Sequence, residues 1–186
     1  MRFMKAADPR ITFAELQQWP DDGRRYELFD GEVIVVPSPF PRHQRVAMHI
    51  GEVIAEYERM YGGMTFGIPI DIVFSEHNVA QPDVVYFRQA RRHLIRDWDA
   101  TRAAPDLAVE VLSRSTEARD RGRKMQLLAR FAVPEYWIVD PGKKTIEIYV
   151  LRAAAYDLVA SYDEGDSVSS STLPNLTFSA ARVFAE

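Results

Sequence analysis

Hydrophobic positions along the chain fall into runs of two periods, and these lay out the elements. Residues 12–19 (TFAELQQW) predict a short helix, because Thr12 followed three residues later by Glu15 is the capping-box pattern. Two short strand-like runs, 25–28 and 32–36, flank Asp30-Gly31, a pair that favours a tight hairpin turn. Residues 37–41 (PSPFP) read as a breaker. Beyond it Val46, Ile50, Val53, Ile54, Tyr57 and Tyr61 recur at spacings of three and four, which predicts a long amphipathic helix closed by Gly62-Gly63. Residues 65–74 and 84–87 read as two strands joined through 75–81. Residues 107–112 (LAVEVL) form a nearly continuous apolar run of the kind that marks a strand covered on both faces. A second helix is expected at about 117–132, strands at 135–139 and 145–151 around the turn 140–143, and a strand-rich tail over 158–184. This order predicts a mixed sheet with helices on its faces, an α/β or α+β fold in a single domain.

Composition changes this picture little. At 186 residues the chain can bury roughly 70% of its unfolded surface without a disulfide or structural metal. The absence of cysteine excludes a thiolate zinc site, an iron–sulfur cluster and a thiol nucleophile. It also suits a reducing compartment, and no signal peptide or membrane-span pattern is evident, so a cytoplasmic protein is expected. The net charge of −4 argues against a nucleic-acid partner, but it hides an asymmetry. Between Arg88 and Arg130 eleven Lys and Arg stand against six Asp and Glu, a local +5 in a chain otherwise at −9. The basic middle reads equally as one positive face or as solvated helix surfaces.

Candidate chemistry begins with Glu110, a carboxylate inside an apolar run, where burial without compensation costs several kcal/mol. A bound cation, a lysine or a cleft at the strand would supply that compensation; an edge strand facing water would remove the need for it. Asp83, between Pro82 and the apolar residues 84–87, is a weaker candidate, since such an aspartate is often only turn chemistry. At about 100° per residue Lys124 falls within the arc of Met125, Leu127, Leu128 and Phe131, while Arg119, Arg123, Gln126 and Arg130 fall opposite. Arg121 lies near that arc one turn earlier and rivals Lys124 as the cation. Two carboxylates on neighbouring strands suit Mg²⁺ or Mn²⁺, and a lysine beside them completes a hydrolytic centre for phosphodiesters. The histidines sit in no motif; His43 reads first as an exposed cap residue and second as a group approaching the site from the start of the long helix. Serine-hydrolase, phosphate-loop and dinucleotide motifs are missing.

The segments 23–32 (GRRYELFDGE), 37–44 (PSPFPRHQ), 81–85 (QPDVV), 105–115 (PDLAVEVLSRS), 120–124 (DRGRK) and 135–141 (EYWIVDP) resemble the Uma2 family of restriction-endonuclease-like proteins, over about residues 10–180. The family's placement in the PD-(D/E)XK nuclease superfamily implies a central mixed sheet flanked by helices and metal-dependent cleavage of DNA. On that resemblance Asp83 and Glu110 are the motif carboxylates and metal ligands. Lys124 is the lysine, displaced to the helix behind the strand, because Leu112 stands where the superfamily lysine would be. Glu27 is an accessory acidic residue, with Glu32 as a weaker candidate for that place. Arg114 replaces a proline frequent after the serine. Arg88, Arg91, Arg92, Arg96 and Arg121 are the expected nucleic-acid contacts. A homodimer is expected, with residues 173–184 as a possible interface. The alternative is a catalytically inactive nuclease-fold module that binds nucleic acid or a protein partner.

Overall fold

The computed structural model describes residues 10–185. Two sheets and a small hairpin carry the architecture. Strands β1 (Arg25–Phe29) and β2 (Glu32–Val36) form the expected hairpin, with Asp30 at φ 52° and Gly31 at φ 82°. Positive φ at both central residues is what a twist-matched two-residue turn requires. This hairpin joins β4 (Ile72–Ser75) and β5 (Asn78–Ala80) in a four-stranded sheet of order β2-β1-β5-β4. The larger sheet has the order β10-β9-β8-β7-β6-β3, built from β3 (Met64–Phe66), β6 (Val84–Phe87), β7 (Leu107–Val111), β8 (Glu135–Asp140), β9 (Thr145–Arg152) and β10 (Ala155–Asp163). Only β7 and β8 run parallel, so the large sheet is mixed.

Helix α1 (Phe13–Leu16) carries the capping box: Thr12 Oγ1 accepts from the Glu15 N–H, and the Thr12 N–H donates to the Glu15 carboxylate. It ends earlier than the sequence suggests, in turns that carry Gln17 to Trp19. Helix α2 (Pro41–Tyr61) buries Val46, Ile50, Val53, Ile54 and Tyr57 against one face of the large sheet. Tyr61 is exposed and stacks on Tyr57. Pro41 is part of the helix and not of a breaker. Its missing N–H is one the first turn leaves unpaired anyway, and its φ is already helical.

Three further differences from expectation have local causes. The strand anticipated over 65–74 divides into β3 and β4, which belong to different sheets, because Gly67 and Pro69 interrupt it. The supposed connection at 75–81 contains β5, paired back onto β4. Residues 117–130 are not one α-helix: α3 (Glu117–Arg119) runs into a π-helical turn (Asp120–Lys124) and then α4 (Met125–Arg130).

Strand β7 is buried at every residue. Leu107, Val109 and Val111 pack toward α2 and the C-terminal segment, whereas Ala108 and Leu112 pack on the opposite side with Leu128, Tyr136 and Ile138. Two covered faces explain the unbroken apolar run that Glu110 interrupts. The C-terminal segment forms the hairpin β11 (Ser167–Ser169) and β12 (Thr177–Ser179), then α5 (Ala181–Phe184). Leu173, Leu176, Phe178, Val183 and Phe184 are buried in the α2-side core. The apolar stretch 173–184, anticipated as a dimer interface, is therefore spent on the chain's own core.

Candidate nuclease site

The sheet register brings the first two carboxylates together. Val84 pairs with Val109 in the antiparallel β6–β7 ladder, so Asp83, one residue earlier, stands across from Glu110, one residue later. Residues opposite each other in a ladder share a face. The Val111 N–H donates to Asp83 Oδ2 at 2.9 Å, fixing the aspartate at the strand entrance. Both carboxylates line one narrow cleft of about 30 Å³, together with His43, Gln81, Arg119 and Lys124.

Glu27 arrives from the other sheet. It is fully buried on β1, and the Gln81 N–H donates to its Oε1 at 2.7 Å. Because β5 pairs with β1 and leads directly into Gln81 and Asp83, the small sheet delivers Glu27 to Lys124, which also contacts Glu110 on the interior strand β7. Glu32, the other candidate for an accessory role, points away; its exposed carboxylate meets Arg123 at 2.8 Å.

Lys124 is 1% exposed, with Nζ 2.5 Å from Glu110 Oε1 and 2.8 Å from Glu27 Oε1. The compensation that Glu110 requires is thus a lysine in a cleft. Burial alone would drive the ammonium toward neutrality, but Glu110, Glu27 and Asp120 outweigh it and raise the lysine above its ordinary value. Burial pushes the Glu110 carboxyl well up, reinforced by Asp120, Asp83 and Glu27 and opposed by Lys124. Asp120, also buried, is raised for the same first reason. Its backbone carbonyl accepts from the Tyr136 hydroxyl, which secures the π-turn to β8.

Two residues of this cluster run against expectation. Arg119 lines the cleft, 3.5 Å from Glu27 and 3.4 Å from Asp120, although a regular helix would turn it away. The π-turn accounts for this. It closes i→i+5 instead of i→i+4, so residues five apart, such as Arg119 and Lys124, come onto similar faces. His43 is only 12% exposed at its side chain, and Nε2 lies 3.2 Å from Asp83 Oδ2. Burial would lower its pKa, but the bond to Asp83 prevails and raises it. With Pro41 at the first helical position, His43 falls on the inward side of the opening turn, a placement visible in sequence only if the helix start is known.

The expected nucleic-acid arginines do not join the cleft. Arg121 is held by Glu147 at 2.6 and 3.0 Å and by Glu117 at 3.3 Å, which ends its rivalry with Lys124. Arg88, Arg91, Arg92 and Arg96 follow the far end of β6, at the opposite end of the strand from Asp83. Arg91 binds Asp106 and the Ala104 carbonyl, and Arg88 binds the Thr172 carbonyl.

The donor chemistry fits a hard divalent cation. Mg²⁺ keeps several waters and needs only one or two carboxylates from the protein. Asp83 and Glu110 offer these in one cleft. Gln81 lines it as well, with its amide Nε2 donating to Asp71 at 2.7 Å.

A mixed sheet with carboxylates on adjoining strands and a lysine behind them defines the class, a restriction-endonuclease-like fold. The fold matches the crystal structure of a “putative nuclease belonging to DUF820” from Anabaena variabilis with a TM-score of 0.76 at 20% identity, over 94% of this chain and 97% of that one. Residues 13–181 match the model of the family Uma2, described as “putative restriction endonuclease”, and the chain belongs to that family. A relative in Synechocystis sp., described as uncharacterized, is 28% identical over 166 residues, covering 85% of this chain and 83% of its own length. Among the described residues no helix is long and apolar enough to cross a membrane.

Proposed function

We propose that the chain is a metal-dependent endonuclease that hydrolyses DNA phosphodiester bonds at the cleft of Asp83, Glu110, Lys124 and Glu27. The observation that supports this most is the convergence of Asp83, Glu110 and Lys124, from three separate elements, at one narrow opening. Asp83 and Glu110 would hold Mg²⁺ or Mn²⁺, which supplies Lewis acidity toward the phosphate and a more acidic bound water.

The chain's own groups then have distinct tasks. Lys124, in contact with Glu110 and Glu27, would place a positive charge beside the developing phosphorane. Glu27, itself held by the Gln81 N–H, orients that ammonium from behind. His43 and the Val111 N–H hold Asp83 in one rotamer. Arg119, bound to Glu27 and Asp120, keeps the π-turn closed over the site.

A second reading has one observation in its favour. Lys124 already neutralises Glu110 and Glu27, as in a module that keeps the nuclease fold for binding alone. Incubation of supercoiled and single-stranded DNA with Mg²⁺, Mn²⁺ or EDTA separates the two. The nuclease reading expects metal-dependent cleavage by the wild type that is lost in Asp83→Asn and Glu110→Gln proteins purified identically. Absence of cleavage with every metal and substrate supports the binding module.

A further inference from the structure

Glu110 and Lys124 lie at the base of the cleft, 3% and 1% exposed, between segments 37–40 and 113–116.

The lining of the opening holds one phenyl ring, among the apolar Val36, Pro37 and Pro39 and the hydroxyl side chains Ser38, Ser113, Ser115 and Thr116. Phe40 lines the cleft yet is 72% exposed, and Val36, Pro37 and Pro39 stand beside it. Isolated exposed apolar side chains are ordinary; a ring at the mouth of a charge-lined cleft is a more specific placement. Phe40 immediately precedes α2, three residues before His43, which touches Asp83. Arg25 lines the same cleft and Arg114 is exposed on the facing segment between Ser113 and Ser115, placing positive charge on either side.

We propose that Phe40 is a stacking platform for a nucleobase, and that the cleft accordingly takes single-stranded or locally unpaired nucleic acid. This rests on the nuclease reading for the identity of the cleft and goes further in naming the substrate class. Base-on-aromatic stacking tolerates every base, because each presents a π face. The platform therefore confers preference for unpaired strands without preference for sequence.

The test uses the full chain in EDTA, where cleavage does not interfere. A single-stranded oligonucleotide carrying 2-aminopurine is titrated with wild type, Phe40→Ala and Phe40→Trp, alongside the same sequence as a duplex. Quenching of the 2-aminopurine by wild type, retained by Phe40→Trp, is expected. In Phe40→Ala the single-strand affinity falls roughly tenfold and the preference over duplex shrinks by a similar factor. The ring is exposed, so the substitution leaves the core intact, and circular dichroism checks this. Equal single-strand affinity in wild type and Phe40→Ala overturns the proposal, as does tighter binding of duplex or no binding of either. These readouts do not depend on catalysis: loss of all cleavage with the stacking signature intact sinks the enzymatic reading alone, and metal-dependent cleavage without it sinks the platform alone.

Discussion

Lys124 Nζ lies 2.8 Å from Glu27 Oε1, joining the π-turn between β7 and β8 to an interior strand of the other sheet. The same nitrogen contacts Glu110. A single ammonium thereby ties two carboxylates on two sheets, and its removal leaves both without their shared partner. Lys124→Ala is expected to lose about 3–5 kcal/mol of stability in urea unfolding, the usual cost of breaking a buried pair from one side. Adding Glu27→Gln should restore part of the loss. Additive losses in the double variant would show that the ion pair is not what the lysine contributes.

Asp83 permits a cleaner separation of structure from chemistry. An asparagine keeps an oxygen for the Val111 N–H and for contact with His43, so Asp83→Asn should remain within about 1 kcal/mol of wild type. If Asp83 holds the metal, wild type gains melting temperature with increasing Mg²⁺ or Mn²⁺ and the variant does not, since a ligand stabilises only the state that binds it. An equal metal-induced shift in both proteins would remove Asp83 from the ligand set.

Glu147 gives a pH dependence away from the cleft. Burial alone would raise its carboxyl, but hydrogen bonds from Arg121 and Tyr149 and the Arg121 charge hold it below the ordinary 4.5. A carboxyl more acidic in the folded state than in the unfolded one adds stability above the unfolded value and loses it as pH falls through the folded one. Wild type should therefore lose stability from about pH 5 downward more steeply than Glu147→Gln. At pH 7 the variant should be less stable by about 1 kcal/mol or less, because the pair is partly open to solvent. Parallel curves for the two proteins would assign the acid sensitivity to other carboxylates.

Much of this architecture is legible from residue order because local and tertiary signals agree. The Val46-to-Tyr57 stripe, the Asp30-Gly31 turn and the Thr12 capping box each specify one conformation, and each occurs. Glu110 stood out because its neighbours belong to a strand buried on both faces. What escaped depended on geometry that no regular period encodes. Arg119 reads as outward on a wheel of about 100° per residue, which a π-turn breaks, and for His43 the sequence leaves the cap and the approach to the site both open, because five residues with three prolines hide where α2 begins. The arginines after Phe87 are near Asp83 in sequence, but a strand of four residues separates them and runs away from the cleft.

The C-terminal segment provides the last prediction. An apolar run at a chain end looks the same whether it serves a partner or the chain's own core, and here the core is already occupied by it. Phe178 is 6% exposed, stacked on the fully buried Trp137 at 5.9 Å between ring centroids. Trp137 Nε1 donates to Glu135 Oε1, and that carboxylate also accepts from Ser170 Oγ and the Thr172 N–H, so the segment is pinned by packing and by a buried acceptor together. Phe178→Ala should cost about 3–5 kcal/mol, as large-to-small changes in a packed core do, with a change in the near-ultraviolet signal of Trp137. An interface role predicts the opposite pattern: a variant monomer as stable as wild type, with oligomeric mass by light scattering as the property that changes.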